Sequence, residues 1–417
     1  MAGGGLSSRT PQPNSGDRSM APPHPARRMV RLLLLSEILW ALGEGLFFYF
    51  LPVYIQELGA APVQIGLAIG AAEIALTVTY LPMGWLADRM PHKPLMLGGW
   101  FAGTLGAVAM AAARDWPALV PGLTLYLLSG YCLPIIHAYV ARMAGPIPLE
   151  RVLPLLNAAY ALGGIFPPIL GGWLAQRLGM RTVLRISAAF FILSTVAALL
   201  LPADPRPPRP TARSLSLGQG IPWRFGLALL LVFTVGQTGF VLLPNFLEGP
   251  GGWSRAHLGL FAALQALGGM LLGPLLGRWD EGRVYPIGMV AAWGLAGLGL
   301  GLLATDARRW ETTGPAMLLA GGAYAAYALA AARVLRMTPT GAQATAAALA
   351  HTARSLAMAL AAPLAGALFA ADPRRPLQVA CLLLPPALGL AAWAGRLPAT
   401  SAIIPPVRPP DPWGGRS

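Results

Sequence analysis

Glu37, Glu44 and Glu73 are carboxylic acids set inside long runs of apolar residues, and that placement limits what they can do. Glu37 and Glu44 lie about two helical turns apart, so an α-helix puts them on one face together with Trp40 and Ala41. Glu44 falls about fourteen residues into its run, near the middle of a ~30 Å hydrocarbon layer, and Glu73 sits at similar depth in the next run. An ionised acid at that depth costs several kcal/mol, so each must face a wet cavity, pair with a base, or hold a proton. Holding and releasing a proton there is the chemistry that proton-coupled movement of a solute requires. Glu37 lies nearer the start of its run, where a structural ion pair with an arginine is an equal alternative. His137 fits either a proton relay or a packing histidine. Arg354, deep in a later run, fits an ion pair with a buried acid, local pairing, or a grip on an anionic substrate.

The elements that would position these groups are membrane spans. The chain has 417 residues, 55% apolar and only 11% charged, with a mean hydropathy of +0.59. A soluble core of this length carries far more charge. Twelve runs stand out, at about 30–55, 62–86, 94–113, 118–141, 155–174, 182–201, 224–246, 256–277, 284–304, 314–332, 341–369 and 376–395, each about the length that crosses a bilayer. The 50 Gly and 41 Pro suit helices that pack closely and kink. Cys132 and Cys381 both lie inside apolar runs and imply neither a disulfide framework nor a metal site.

The net charge of +14 is not a nucleic-acid face. With a cytoplasmic N-terminus, most of the 30 Lys+Arg fall on connections that face the cytoplasm, which is the positive-inside bias. Many Arg against almost no Lys is associated with a GC-rich bacterial genome, so the expectation is a multi-pass protein of the bacterial cytoplasmic membrane with both termini inside. Residues 1–28 and 398–417 read as disordered cytoplasmic tails, rich in Pro and small polar residues. The longest internal polar connection, 202–222, separates a six-helix bundle at 29–201 from another at 223–397. Leu51-Pro52, Gly66 and Asp88 recur as Leu243-Pro244, Gly259 and Asp280, with spacings that agree to within about one residue. The first apolar run is too long for the core of a cleavable signal peptide.

Between the second and third runs stands Gly84-Trp85-Leu86-Ala87-Asp88-Arg89-Met90-Pro91-His92-Lys93. This loop resembles that between helices two and three of the major facilitator superfamily, Gly-x-Leu-Ala-Asp-Arg-x-Gly-Arg-Lys, with Pro91 and His92 replacing its Gly and Arg. The resemblance implies an all-α membrane fold of twelve helices in two pseudo-symmetric six-helix bundles, and transport by alternating access. It also implies that Asp88 faces the N-terminal dipole of the helix beginning near Gly341. By the same analogy Gly84, Arg89 and Lys93 complete a gating loop whose bases hold acids on neighbouring helices or lipid phosphates. The bland reading is that the two bases merely enforce topology. In the fifth run, Gly163-Gly164-Ile165-Phe166-Pro167-Pro168-Ile169-Leu170-Gly171-Gly172 is similar to a signature of the antiporter branches, with Pro167 where that signature has Gly. Paired prolines force a kink, and the small residues let this helix approach the eighth; tight packing without directional meaning is the plainer alternative.

If the first helix of each bundle lines the cavity, as the resemblance implies, Glu44 is the preferred proton and substrate-cation site, beside Trp40. Gln237 and Asn245 on the seventh helix are then placed to meet substrate. Glu73 and Arg354 would pair across the bundles and act as a gate. The expectation is a secondary transporter that exports a small amphiphilic or cationic compound against protons. It needs no cofactor beyond the proton gradient, touches only substrate and membrane lipid, binds no nucleic acid and works as a monomer. A proton symporter, importer or facilitator is the nearest alternative. A non-transporting receptor or scaffold gains nothing from buried charge, and the loops are too short for a membrane-embedded transferase. No P-loop, HExxH or Cys/His cluster is present, so the chain does not read as an enzyme.

Overall fold

The structure, a computed structural model, describes residues 25–145, 147–206, 223–280, 286–336 and 343–394. Among the described residues there is no strand, and twelve helical spans are long and apolar enough to cross a membrane. Spans 1 to 6 run Ala26–Glu57, Pro62–Ala87, His92–Ala112, Trp116–Met143, Arg151–Leu178 and Met180–Leu199. Spans 7 to 12 run Gly226–Glu248, Arg255–Asp280, Ile287–Thr305, Trp310–Val334, Ala350–Ala371 and Arg375–Ala394. The expected bundle boundaries shift slightly. Residues 25–28, read as part of a disordered tail, already belong to the first helix, whose exposed Arg27, Arg28 and Arg31 carry it beyond the apolar layer. The rest of that tail, the connection 207–222, the second loop copy at 281–283, the helix start near Gly341 and the tail from 395 lie outside the described residues.

Several spans are broken, and prolines place the breaks. Span 1 is interrupted by the 3₁₀ turn Phe48–Phe50, span 4 by Ser129–Tyr131, span 5 between Leu162 and Phe166, and span 7 between Phe240 and Leu243. Each break lies about one turn ahead of a proline (Pro52, Pro134, Pro167 with Pro168, and Pro244), which has no N–H for the carbonyl four residues back. Span 10 also breaks, between Ala320 and Gly322. Spans 1 and 7 therefore match, as do 4 and 10. Spans 5 and 11 do not, because the helix Gln343–Ala371 runs unbroken.

Packing repeats the same plan twice. In the first half span 1 packs on 5 and 6, span 3 on 4 and 6, and span 2 on 4. In the second half span 7 packs on 11 and 12, span 9 on 10 and 12, and span 8 on 10. The halves meet where span 2 lies on span 11 and span 5 on span 8. Glycine makes both crossings possible. A methyl on Gly366 would stand 2.6 Å from the Pro62 carbonyl oxygen, and one on Gly172 would collide with the Arg255 carbonyl. The interface is thus backbone against backbone, a contact that can slide without repacking large side chains.

Candidate functional site

Span 1 is held in register by its neighbours, and that register aims its acids. Ser36 donates to the Ser194 carbonyl of span 6 at 3.0 Å, and Ser194 donates back to the Ser36 carbonyl at 2.8 Å. The Trp100 indole adds a bond to Ser194 at 3.0 Å. Ala41 and Gly45 meet Gly163 of span 5, so the remaining face presents Glu44 to the space between the halves. There the half-buried Glu44 carboxylate accepts from the Tyr160 hydroxyl at 2.8 Å on both oxygens, and from Trp40 Nε1 at 3.2 Å. The Tyr126 ring lies parallel to Trp40 with centroids 6.2 Å apart. Donors converging on a half-buried carboxyl let it carry either charge or a proton without large rearrangement. Glu37 is 8% exposed and, among the described residues, has no arginine partner and no hydrogen-bond donor on its carboxyl. Its charge couples to Glu44.

Glu73 and Arg354 are brought to the same level but do not form the expected ion pair. Instead Glu73 Oε2 accepts from the Ser355 hydroxyl at 2.6 Å, and Thr77 donates to Ser355 at 3.0 Å. The cause is helical geometry: if Ser355 faces span 2, Arg354 is turned away from it by about 100°. Its guanidinium lies over the Tyr327 ring, 5.4 Å from the centroid. Tyr327 is fixed in turn by a hydrogen bond to His351 at 3.0 Å, and the His351 ring stacks on Tyr80 of span 2. Among the described residues no carboxylate comes within 4.0 Å of Arg354, although its charge is felt at both Glu44 and Glu73. His137 is half-buried and within electrostatic reach of His351. Gln237 is half-buried on span 7.

Asn245, expected to meet substrate, lies elsewhere. It is 4% exposed and donates to the Pro52 carbonyl at 3.1 Å and to Gln56 at 2.6 Å, joining span 7 to span 1 at one end of the bundle. The break before Pro244 swings it out of the central space. At the same end Arg255 reaches Glu57 at 2.8 Å and Glu248 at 3.0 Å, and the Ala256 amide donates to Gln176 at 3.2 Å. This Arg255 end is closed by contacts between the halves.

The opposite end carries the 84–93 loop. Among the described residues the Lys93 ammonium holds no acid; it donates to the carbonyls of Leu199 at 3.0 Å and Leu201 at 2.5 Å, orphaned at the end of span 6. Arg89 likewise turns back onto its own helix, bonding the Trp85 carbonyl at 3.0 Å with its guanidinium 4.1 Å above the Trp85 ring. Asp88 is exposed, and the space beside Gly84 is open. The residue that organises this end is Asp204. It accepts from the backbone N–H of His92 at 2.8 Å and of Lys93 at 3.0 Å, and lies 2.8 Å from the His92 ring nitrogen. Burial alone would push the Asp204 carboxyl up, but those amides and the His92 side chain outweigh it and hold the carboxyl below the usual carboxylate range. His92, which breaks the loop pattern, is thereby explained: it docks on an acid from beyond span 6.

The paired prolines begin the second segment of span 5. Pro167 lies against Gly45 and Pro168 against Gly259, while Gly171 faces the Leu46 carbonyl of span 1 and Gly172 faces span 8. One short stretch therefore touches both halves. Tyr160, Ser355, Tyr327, His351, Arg255 and Asp204 escaped the sequence reading. Tyr160 alone left a usable signal, since it lies one turn before the Gly163 that a close crossing with span 1 requires.

The sequence pattern of the Major Facilitator Superfamily matches residues 33–362. Multidrug resistance protein B homolog of Mycobacterium tuberculosis is 28% identical over 201 residues, 46% of this chain and 36% of that protein. Multidrug resistance protein MdtH of Aeromonas hydrophila is 29% identical over 217 residues, 50% of this chain and 53% of that protein. The chain thus spans about half or less of the length of these curated relatives. Among solved structures, the nucleoside transporter NupG superposes with a TM-score of 0.68 at 14% identity, covering 88% of this chain and 98% of that one. A bacterial homologue of the lysosomal transporter Spinster, in an inward-facing and unoccupied conformation, gives 0.67 at 15% identity, covering 90% and 98%.

Proposed function

The chain belongs to the Major Facilitator Superfamily, and from that premise we propose that it is a proton-coupled exporter of small amphiphilic compounds carrying a cationic group. The observation that carries this reading is the Glu44 carboxylate, held by Tyr160 and Trp40 at the junction of the halves. One carboxyl that takes either a proton or a substrate cation makes the two compete, and competition for a single site is the minimal device for exchange. Glu37, coupled to Glu44 along the same helix, supplies a second station for the proton. The multidrug names of the relatives support the export direction. The basic excess on the Asp204 side supports a cytoplasmic placement of that end. The Arg255 seal then closes the outer side, and the site faces inward. Gly172 and Gly366, at the crossings of spans 5 with 8 and 2 with 11, are the surfaces on which the halves rock.

The test uses purified protein in liposomes with an internal pH dye, wild type against Glu44→Gln, challenged with cationic dyes and neutral sugars. Proton movement driven by a cationic dye in wild type, and lost in Glu44→Gln, is the expected result. Solute flux without proton movement, unchanged by the substitution, would leave a facilitator.

A further inference from the structure

Arg354, whose charge acts on Glu44, has no assigned work, and its surroundings say what it is built to hold. Arg354 is half-buried at the junction of the halves, on a span whose next residue, Ser355, already satisfies Glu73. Its guanidinium carbon lies 5.4 Å from the centre of the Tyr327 ring, and Tyr327 is braced by His351. A guanidinium held near an aromatic ring by a cation–π contact keeps its planar set of N–H donors, which can take a carboxylate or phosphate on two bonds. Among the described residues no carboxylate takes that place within 4.0 Å.

We propose that Arg354 is the anion-binding half of the substrate site, and that the transported compound is an amphiphilic zwitterion with its cationic group at Glu44 and its anionic group at Arg354. This rests on the Glu44 reading above and goes beyond it by naming the substrate's second charge. A compound with only a positive group would bind Glu44 in the field of the Arg354 guanidinium, which acts on the same carboxylate as well as on Glu73. An anionic group on the same molecule removes that repulsion and neutralises Arg354 at once. Glu44 belongs to the first half and Arg354 to the second, so such a compound spans the junction and binds best in one arrangement of the halves. That differential affinity is what lets a ligand shift a conformational equilibrium. Tyr160 beside Glu44 and Tyr327 beside Arg354 offer aromatic surface to an apolar body.

Two dyes with one skeleton make the test: rhodamine 110, a zwitterion with a free carboxylate, and rhodamine 123, its methyl ester, a cation only. Binding is followed by fluorescence anisotropy on the full-length protein in nanodiscs. Wild type should bind rhodamine 110 about tenfold or more tightly than rhodamine 123, the scale of one charge-assisted contact. Arg354→Gln should erase that preference by weakening rhodamine 110 alone, Arg354→Lys should restore part of it, and Glu44→Gln should weaken both dyes. A wild type that prefers the ester, binds the two equally, or binds neither overturns the zwitterion assignment without any variant being needed. Equal loss of both dyes in Arg354→Gln overturns it too, and makes Arg354 a structural or gating residue. If Glu44→Gln changes neither dye, the reading on which the assignment rests falls with it.

Discussion

At the Arg255 end one guanidinium reaches acids from both halves, Glu57 at 2.8 Å and Glu248 at 3.0 Å, and Asn245 crosses to Pro52 and Gln56. At the Asp204 end the charged groups turn inward on a single half: Asp204 caps the start of span 3, and Lys93 caps the end of span 6. The first arrangement ties the two halves to each other, while the second ties elements within one half. Exposure follows the same division. The side chains of Arg255, Glu57 and Glu248 are 20%, 44% and 33% exposed, so each pair contributes only about 0–1 kcal/mol and can open. The Asp204 side chain is fully buried, with donors that would be stranded without it.

Breaking the brace should have the largest energetic effect. Asp204→Ala leaves two backbone amides and the His92 ring without their acceptor, and should destabilise the protein by about 2–3 kcal/mol, read as a lower melting temperature in detergent. The seal between the halves should be unaffected. Because the folded carboxyl is held below its usual range, its contribution is complete above the unfolded value and is lost as pH falls through the folded one. The melting difference between wild type and Asp204→Asn should therefore shrink as pH drops below about 4, and a difference that stays constant down to pH 3 would contradict the assignment. Breaking the seal is the smaller perturbation. Arg255→Ala should leave melting nearly unchanged and shift the balance of the two access states by about 1 kcal/mol, roughly fivefold. Labelling of Tyr324→Cys by a membrane-impermeant thiol reagent from the Arg255 side, with Cys132 and Cys381 replaced by Ser, reads that shift.

The framework was legible because a bilayer demands it. Apolar length located all twelve spans to within a few residues at their described ends, and the 84–93 loop pointed to the family. The acids at depth, Glu37, Glu44 and Glu73, were visible because hydrocarbon makes any charge conspicuous. Their partners were not, since a partner depends on which helix faces meet. Tyr160 and Ser355 are unremarkable residues until span 5 turns toward span 1 and span 11 toward span 2. Asn245 misled for a related reason: the break ahead of Pro244 redirects its helix face, and a periodicity argument assumes an unbroken helix. Arg89 and Lys93 read as bases looking for acids, whereas the negative partners at hand were helix C-terminal carbonyls, which no side-chain inventory reveals. Asp204 lay in a polar connection where one acid among prolines signals nothing.

On the proposed competition at Glu44, its proton state decides whether the Arg255 end or the Asp204 end is closed. Spin-label pairs across each end test it most directly: Arg114→Cys with Arg309→Cys at the Arg255 end, and Arg151→Cys with Arg278→Cys at the other, in protein lacking Cys132 and Cys381. Comparing the two distances with and without Glu44→Gln, which fixes the neutral form, should show them moving in opposite directions, one end opening as the other closes. Distances that stay fixed at both ends, or lengthen together, would contradict it.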